Sequence, residues 1–401
     1  WDSNLGMEVP VKRTRVVARR WFKIDVVYTN DQGEFKCNKR FVNKVNILVK
    51  FLNNNITIHG LRTPRLWQMW FPIKKGIGIY SGNLSNISYR FNQNTLEPHS
   101  RTNRNWWAAQ TMNSQVEFNE MAAANNIGGL PSFLRILLTG WANARGAGSA
   151  PMNGHRNPQI VPPLWINYFV LNPAHTGFAS TLNWLYNGIL IRKTDMTIGY
   201  DKNLQSDQVK SLIYHEMAHA AHYNKVGDNW WNELVNAETY EITRFGLNGA
   251  QSPYGIGDDG EMSGRIALAE SWAEHIGRVM TDTKYGTTSS AQYNQGEFYE
   301  NNSPVIGLSS HLNLLEDFSP NRVSDPFRWI PYGVYYDLMD SRNDYNFNAI
   351  LPIDNVSGYS SQKCFNALDN DVKTIPEFKT RFLSESGFNQ AVVDLFFEYH
   401  Y

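Results

Sequence analysis

The chain has 401 residues, 37 Lys and Arg against 37 Asp and Glu, an apolar fraction of 42% and two cysteines. A length beyond the usual single core predicts two domains. No run approaches eighteen consecutive apolar residues, so a membrane-spanning helix is not expected. Cys37 and Cys364 are too few for a disulfide framework and lack zinc-pair spacing, which leaves two thiols or one bridge open.

The neutral total conceals a split. Residues 1–105 carry 18 Lys and Arg against six Asp and Glu, about +12, and the remainder carries the opposite excess. This places a domain boundary near 105 and favours contact between the parts. No nucleic-acid-binding motif accompanies the basic part, so no nucleic-acid partner is expected.

Residues 1–104 read as a small β-domain. A strand is predicted through Val16 and Val17, and Asn30-Asp31-Gln32-Gly33 is expected to be a hairpin turn. Val45, Ile47, Val49 and Phe51 alternate as on a half-buried strand, and Ile56-Thr57-Ile58 is another short one. Residues 61–104 resist placement. Helices are expected at 106–125, with Trp107, Met112, Val116 and Met121 as apolar positions, and at 130–144. Residues 145–163 read as loop, and 164–171 and 195–200 as strands. Later helices are expected at 230–245, around Glu270, at 334–338 and at 389–399.

The most informative stretch is His215-Glu216-Met217-Ala218-His219. Between 209 and 223 there is no Gly or Pro; Ser206 or Asp207 offers an N-cap and Gly227 a stop. On that helix His215 and His219 share a face one turn apart and can close on one tetrahedral Zn²⁺, with Glu216 placed as general base. His222 lies two turns above His215, on the order of 10 Å along the axis, too far to join them. It reads as a supporting, substrate-facing or surface residue. A third protein ligand must come from elsewhere.

Ala269-Glu270-Ser271-Trp272-Ala273 resembles the glutamate helix of gluzincin-type zinc metallopeptidases, where Glu-x-x-Ala supplies that ligand. The resemblance implies His215, His219 and Glu270 as the zinc ligands. The rivals are Glu238, close to the gap in several gluzincin families, and Glu233, whose Asn232-Glu233 resembles the Asn-Glu that opens some ligand helices. Choosing Glu270 requires an insertion, and the glycine-punctuated stretch 245–264 fits one. Glu274, one turn beyond Glu270, could accept a bond from a ligating histidine. By the same resemblance Tyr332, then Tyr335, is the candidate oxyanion donor, with His311 and His275 behind them, and the strand at 195–200 is the candidate substrate edge. Thr29-Asn30-Asp31-Gln32-Gly33-Glu34-Phe35 resembles the turn of carboxypeptidase-regulatory-like domains of transthyretin type, which implies a β-sandwich over about residues 8–60.

The expectation is therefore an α+β protein: a β-sandwich at 1–104, then a mainly helical zincin-like catalytic domain at 105–401 with a short mixed sheet. The expected activity is zinc-dependent hydrolysis of peptide bonds in extracellular protein or glycoprotein substrates. A chain opening at Trp1 fits a secreted or cell-surface protein whose signal peptide has been removed. The alternatives are a surface-binding or adhesion protein with an idle zinc site, and a zinc hydrolase acting on a non-peptide bond.

Overall fold

The computed structural model describes residues 1–61, 68, 70–82, 85–140, 148–156, 194–200, 203–245, 254–289, 311–312, 315, 329–341 and 354–401. The fold is α+β, with two small sheets and a series of helices. The expected strand at 164–171 lies outside the described residues. No described helix is long and apolar enough to cross a membrane. The chain forms two compact units: one comprises Trp1–Glu117, Pro131–His155 and Trp165–Ile213, the other Phe118–Leu130, Arg156–Leu164 and Tyr214–Tyr401.

In the first unit β1 (Arg15–Arg20), β2 (Lys23–Tyr28), β3 (Val45–Lys50) and β5 (Lys74–Tyr80) form an antiparallel sheet in the order β2-β1-β3-β5. β3 buries Val45, Ile47 and Val49, the alternation its sequence predicts. The β1–β2 connection turns at Trp21 and Phe22, and both of their side chains are exposed. Asn30 to Gly33 is a turn, with Gly33 at φ 74° and Asn30 Oδ1 accepting from the Gln32 and Glu34 amides at 3.1 and 2.8 Å. It is not the expected hairpin between paired strands, because residues 34–44 form no strand.

β4 (Ile56–Leu61) leaves that sheet. It pairs in parallel with β6 (Leu134–Thr139), which pairs in parallel with β8 (Met196–Gly199); β7 (Gly148–Ser149) closes the order β4-β6-β8-β7. Two expectations are corrected here. The predicted helix at 130–144 is strand β6 over its centre, where Leu134, Ile136, Leu137 and Leu138 are buried and the strand lies between two parallel neighbours. The strand at 195–200 is not a free edge, since β7 pairs with Ile198 and Thr197.

α1 (Arg101–Ala124) contains both residues flanking the expected boundary, 104 and 105. It buries Trp106, Trp107, Met112 and Val116 as its sequence predicts, whereas Met121 is half-buried. α2 (Ser206–Phe245) begins one turn earlier than its apolar pattern. Ser206 and Asp207 lie inside the helix rather than capping it, and their amides are taken by Ser3 Oγ and Asn4 Oδ1, both at 3.0 Å. Lys210, fully buried, is tied to α1 through Glu117 at 2.5 Å.

At Gly227 the backbone (φ 79°, ψ −176°) leaves the helical region, so α2 is two helices meeting at a break. His219 and Trp231 would lie about 18 Å apart along an unbroken axis. Their rings instead approach to 6.1 Å, so the chain turns back sharply at this glycine.

The second unit holds the rest of α2 with α3 (Glu261–Tyr285), α4 (Val334–Asp337), α5 (Ser361–Ala367), α6 (Ile375–Ser386) and α7 (Gln390–Glu398). Its core is aromatic: Trp272 packs on Tyr335 and Phe365 at 5.5 and 5.4 Å, and Tyr335 packs on Phe378 at 5.2 Å. Cys37 is half-buried, Cys364 is buried, and both are free thiols.

Gly227→Ala should cost about 1–3 kcal/mol, because this φ,ψ region is open essentially to glycine alone. Chemical denaturation of the two proteins measures the difference.

Candidate metal centre

The site is built from two helices that each present residues one turn apart. α2 contributes His215 and His219, and α3 contributes Glu270 and Glu274. Ala267, Ala269 and Ala273 on α3 and Ala218, Ala220 and Ala221 on α2 are buried small residues that allow close helix packing.

The Nε2 atoms of His215 and His219 lie 3.1 Å apart. Glu270 reaches both, with Oε2 at 3.4 Å from His215 Nε2 and Oε1 at 3.4 Å from His219 Nε2. Ligand atoms about 2.1 Å from a tetrahedral ion are roughly 3.4 Å from one another. The three side chains therefore have the spacing and the nitrogen–oxygen chemistry of a zinc site. His215 Nδ1 lies 3.1 Å from Glu274 Oε2. Glu274 is in turn gripped by Arg278, whose Nε donates to Oε1 at 2.6 Å. A carboxylate holding Nδ1–H fixes the tautomer that aims the Nε2 lone pair at the shared point.

The electrostatics follow from burying four ionisable groups together. Burial depresses the basicity of both histidines, but His215 is hydrogen-bonded to two carboxylates and ends well above its ordinary pKa, whereas His219 is hydrogen-bonded to Glu270 alone, is opposed by His215 and stays below. Burial favours neutral Glu270 and Glu274, yet the histidines, and Arg278 beside Glu274, outweigh it and hold both far into the ionised range. Glu216 has no such partner. It is 3% exposed, its Oε2 has no hydrogen-bond donor, and burial, with Glu270 nearby, lifts its carboxyl to about 8 against the pull of His215. A cation between the histidines and Glu270 would favour ionised Glu216.

The rival carboxylates fall outside the trio. Glu233 is exposed and paired with Arg265. Glu238 lies close enough to Glu270 and Glu216 to be raised by them, after burial, to about 8, but it does not join the ligand atoms. His222 is not a surface residue: it is buried against Trp230 and Trp231, with ring centroids at 4.8 and 5.7 Å. Tyr335 and His275 belong to the aromatic core, 5.9 Å apart, and His311 is fully buried. Tyr332 is 5% exposed and close enough to Tyr254 to raise the latter's pKa.

Two residues of the site were not anticipated. Arg278 follows Glu274 by four residues, and that spacing on a predicted helix was the available signal. Tyr254 donates its phenol to Glu270 Oε2 at 3.0 Å. It opens a glycine-rich loop whose sequence has no periodicity, so nothing local pointed to it. Compared with known proteins, the chain matches no family model, no curated protein and no solved structure.

Removing the bond to His215 with Glu274→Gln should weaken zinc binding about 10–100-fold, as read by competition with a chromophoric chelator. In the metal-free protein Glu216 and Glu238 hold protons up to about pH 8 when folded but only to about 4.3 when unfolded. Through these two carboxyls the folded state binds more protons in this window, a contribution to stability that falls as pH rises from about 5 to 8 and that His219, His222 and His275, buried and held neutral, oppose below about 6.5. Glu238→Gln should flatten that slope in melts of the metal-free protein across the same range.

Proposed function

We propose that the chain is a zinc-dependent hydrolase that cleaves peptide bonds in extracellular protein or glycoprotein substrates. The observation that carries this reading is the meeting of His215 Nε2, His219 Nε2 and the Glu270 carboxylate at 3.1–3.4 Å, beside a buried carboxylate, Glu216, that has no structural partner at Oε2. A solvated or merely structural glutamate would have no reason to occupy that position unpaired.

Zn²⁺ held by His215, His219 and Glu270 would supply Lewis-acid polarisation of a carbonyl and acidification of water. Glu216 is the proton carrier: its carboxylate removes a proton from the attacking water and delivers it to the departing amine nitrogen. Glu274 and Arg278 keep His215 in one orientation and tautomer. Tyr332 is the proposed donor to the developing oxyanion; Tyr254, already bonded to Glu270, fixes that carboxylate. The helix pair carrying the histidines and glutamates supports a gluzincin-like, zincin-type catalytic part. The transthyretin-like reading of the N-terminal strands rests on the Thr29–Phe35 sequence alone, since the described strands β2-β1-β3-β5 form one sheet and β4 joins another. Substrates of this kind imply a secreted or cell-surface protein.

Zinc-loaded protein incubated with a denatured protein and a mucin-type glycoprotein should release fragments. Glu216→Gln should retain zinc and lose activity by about 10²–10⁴-fold, while His219→Ala should lose the metal. Full activity in Glu216→Gln, or stoichiometric zinc with no hydrolysis of any peptide, would overturn the reading.

A further inference from the structure

A second cluster of oxygen ligands gathers where the same loop meets α2. Tyr254-Gly255-Ile256-Gly257-Asp258-Asp259-Gly260 leads into α3, with Gly255, Gly257 and Gly260 at φ 71°, 76° and 56°. The loop closes over Glu241, near the end of α2. A Cβ added to Gly255 would stand 1.9 Å from Glu241 Oε2, so the backbone itself lies on that carboxylate. Trp329 supports the loop, donating from Nε1 to the Gly255 carbonyl at 3.2 Å.

Glu241 is 1% exposed, and among the described residues neither of its carboxylate oxygens has a hydrogen-bond donor. A buried carboxylate left in this way is costly and calls for a compensating charge. One carboxylate oxygen from each of Glu241, Asp258 and Asp259 lies within 4.8 Å of the other two. Arg244 is the guanidinium on this cluster. It holds Asp258 by both oxygens, at 2.9 and 2.8 Å, and Asp259 Oδ2 at 2.9 Å. Among the described residues these bonds do not reach Glu241, and one guanidinium faces three acids.

We propose that Glu241, Asp258 and Asp259 form a binding site for a single Ca²⁺ ion that fastens the glycine-rich loop to α2. The donor set is entirely oxygen and anionic, which suits a hard cation and not zinc. Three glycines at positive φ give the loop an irregular backbone. That suits the variable coordination of Ca²⁺ better than the strict octahedron of Mg²⁺. The competing way to quench the repulsion is a proton: burial, then Asp259, lifts the Glu241 carboxyl to about 7. The inference does not depend on peptidase activity.

The test is calorimetric and thermal titration of the full-length, zinc-saturated protein with CaCl₂. It is supported by Tb³⁺ luminescence excited through tryptophan, for which Trp329 is the nearby donor. One Ca²⁺ should bind per chain, displace Tb³⁺ and raise the melting temperature, with Mg²⁺ having much less effect. Glu241→Gln and Asp259→Asn should each weaken Ca²⁺ binding by at least about ten-fold and leave zinc content unchanged. Asp259→Asn, at a half-buried position, keeps the test open if Glu241→Gln fails to fold. The absence of saturable Ca²⁺ binding, or equal affinity in wild type and Asp259→Asn, would overturn the proposal. So would Glu241→Gln melting higher than wild type while Ca²⁺ shifts neither, which would assign the cluster to a shared proton.

Discussion

Two turns of one helix set against two turns of another impose the constraint on which the centre rests. His215 and His219 on α2 meet Glu270 and Glu274 on α3, and four ionisable groups are withdrawn from water at once. Such a cluster survives burial only if its charges are paired or shared with a cation. Arg278 completes a column of three residues on one face of α3, spaced by four: the first reaches both histidines, the second orients one of them, and the third anchors the second. Moving either helix along its axis by one residue would break every histidine–glutamate pairing together.

The chemistry of this centre was largely legible in the residues. The i,i+4 histidines fix their own geometry once a helix is granted, and the glycine and proline gap around them grants it. Glu270 could not be derived that way. Its distance along the chain carries no geometric information, and only its resemblance to a known ligand helix singled it out from Glu238 and Glu233. The structure separates the three by their surroundings: Glu233 reaches out to Arg265, Glu238 stands near the trio without entering it, and Glu270 spans both imidazoles. Tyr254 was invisible because a loop residue acquires its neighbours from tertiary folding alone.

The strands were read less well, for a physical reason. Val45 to Phe51 faces a core on one side only, so its alternation is a clear signal. The run from Ile136 to Leu138 is buried at consecutive positions and has no periodicity to separate strand from helix. Nor could the residues of β4 disclose their partner. Ile56–Leu61 would suit either sheet, and its parallel pairing with β6, over seventy residues later, is a non-local choice. The same limit applies at the start of α2, where the cap comes from Ser3 and Asn4, two hundred positions upstream.

The break at Gly227 brings Trp230 and Trp231 back over His222 and His219, with the closest ring centroids at 4.8 and 6.1 Å. An excited indole within van der Waals range of an imidazole is sensitive to that ring's charge and ligation. By reversing its own helix at one glycine, the polypeptide has set a built-in fluorophore beside the histidines, and the occupancy of the centre becomes readable from intrinsic emission without any attached dye.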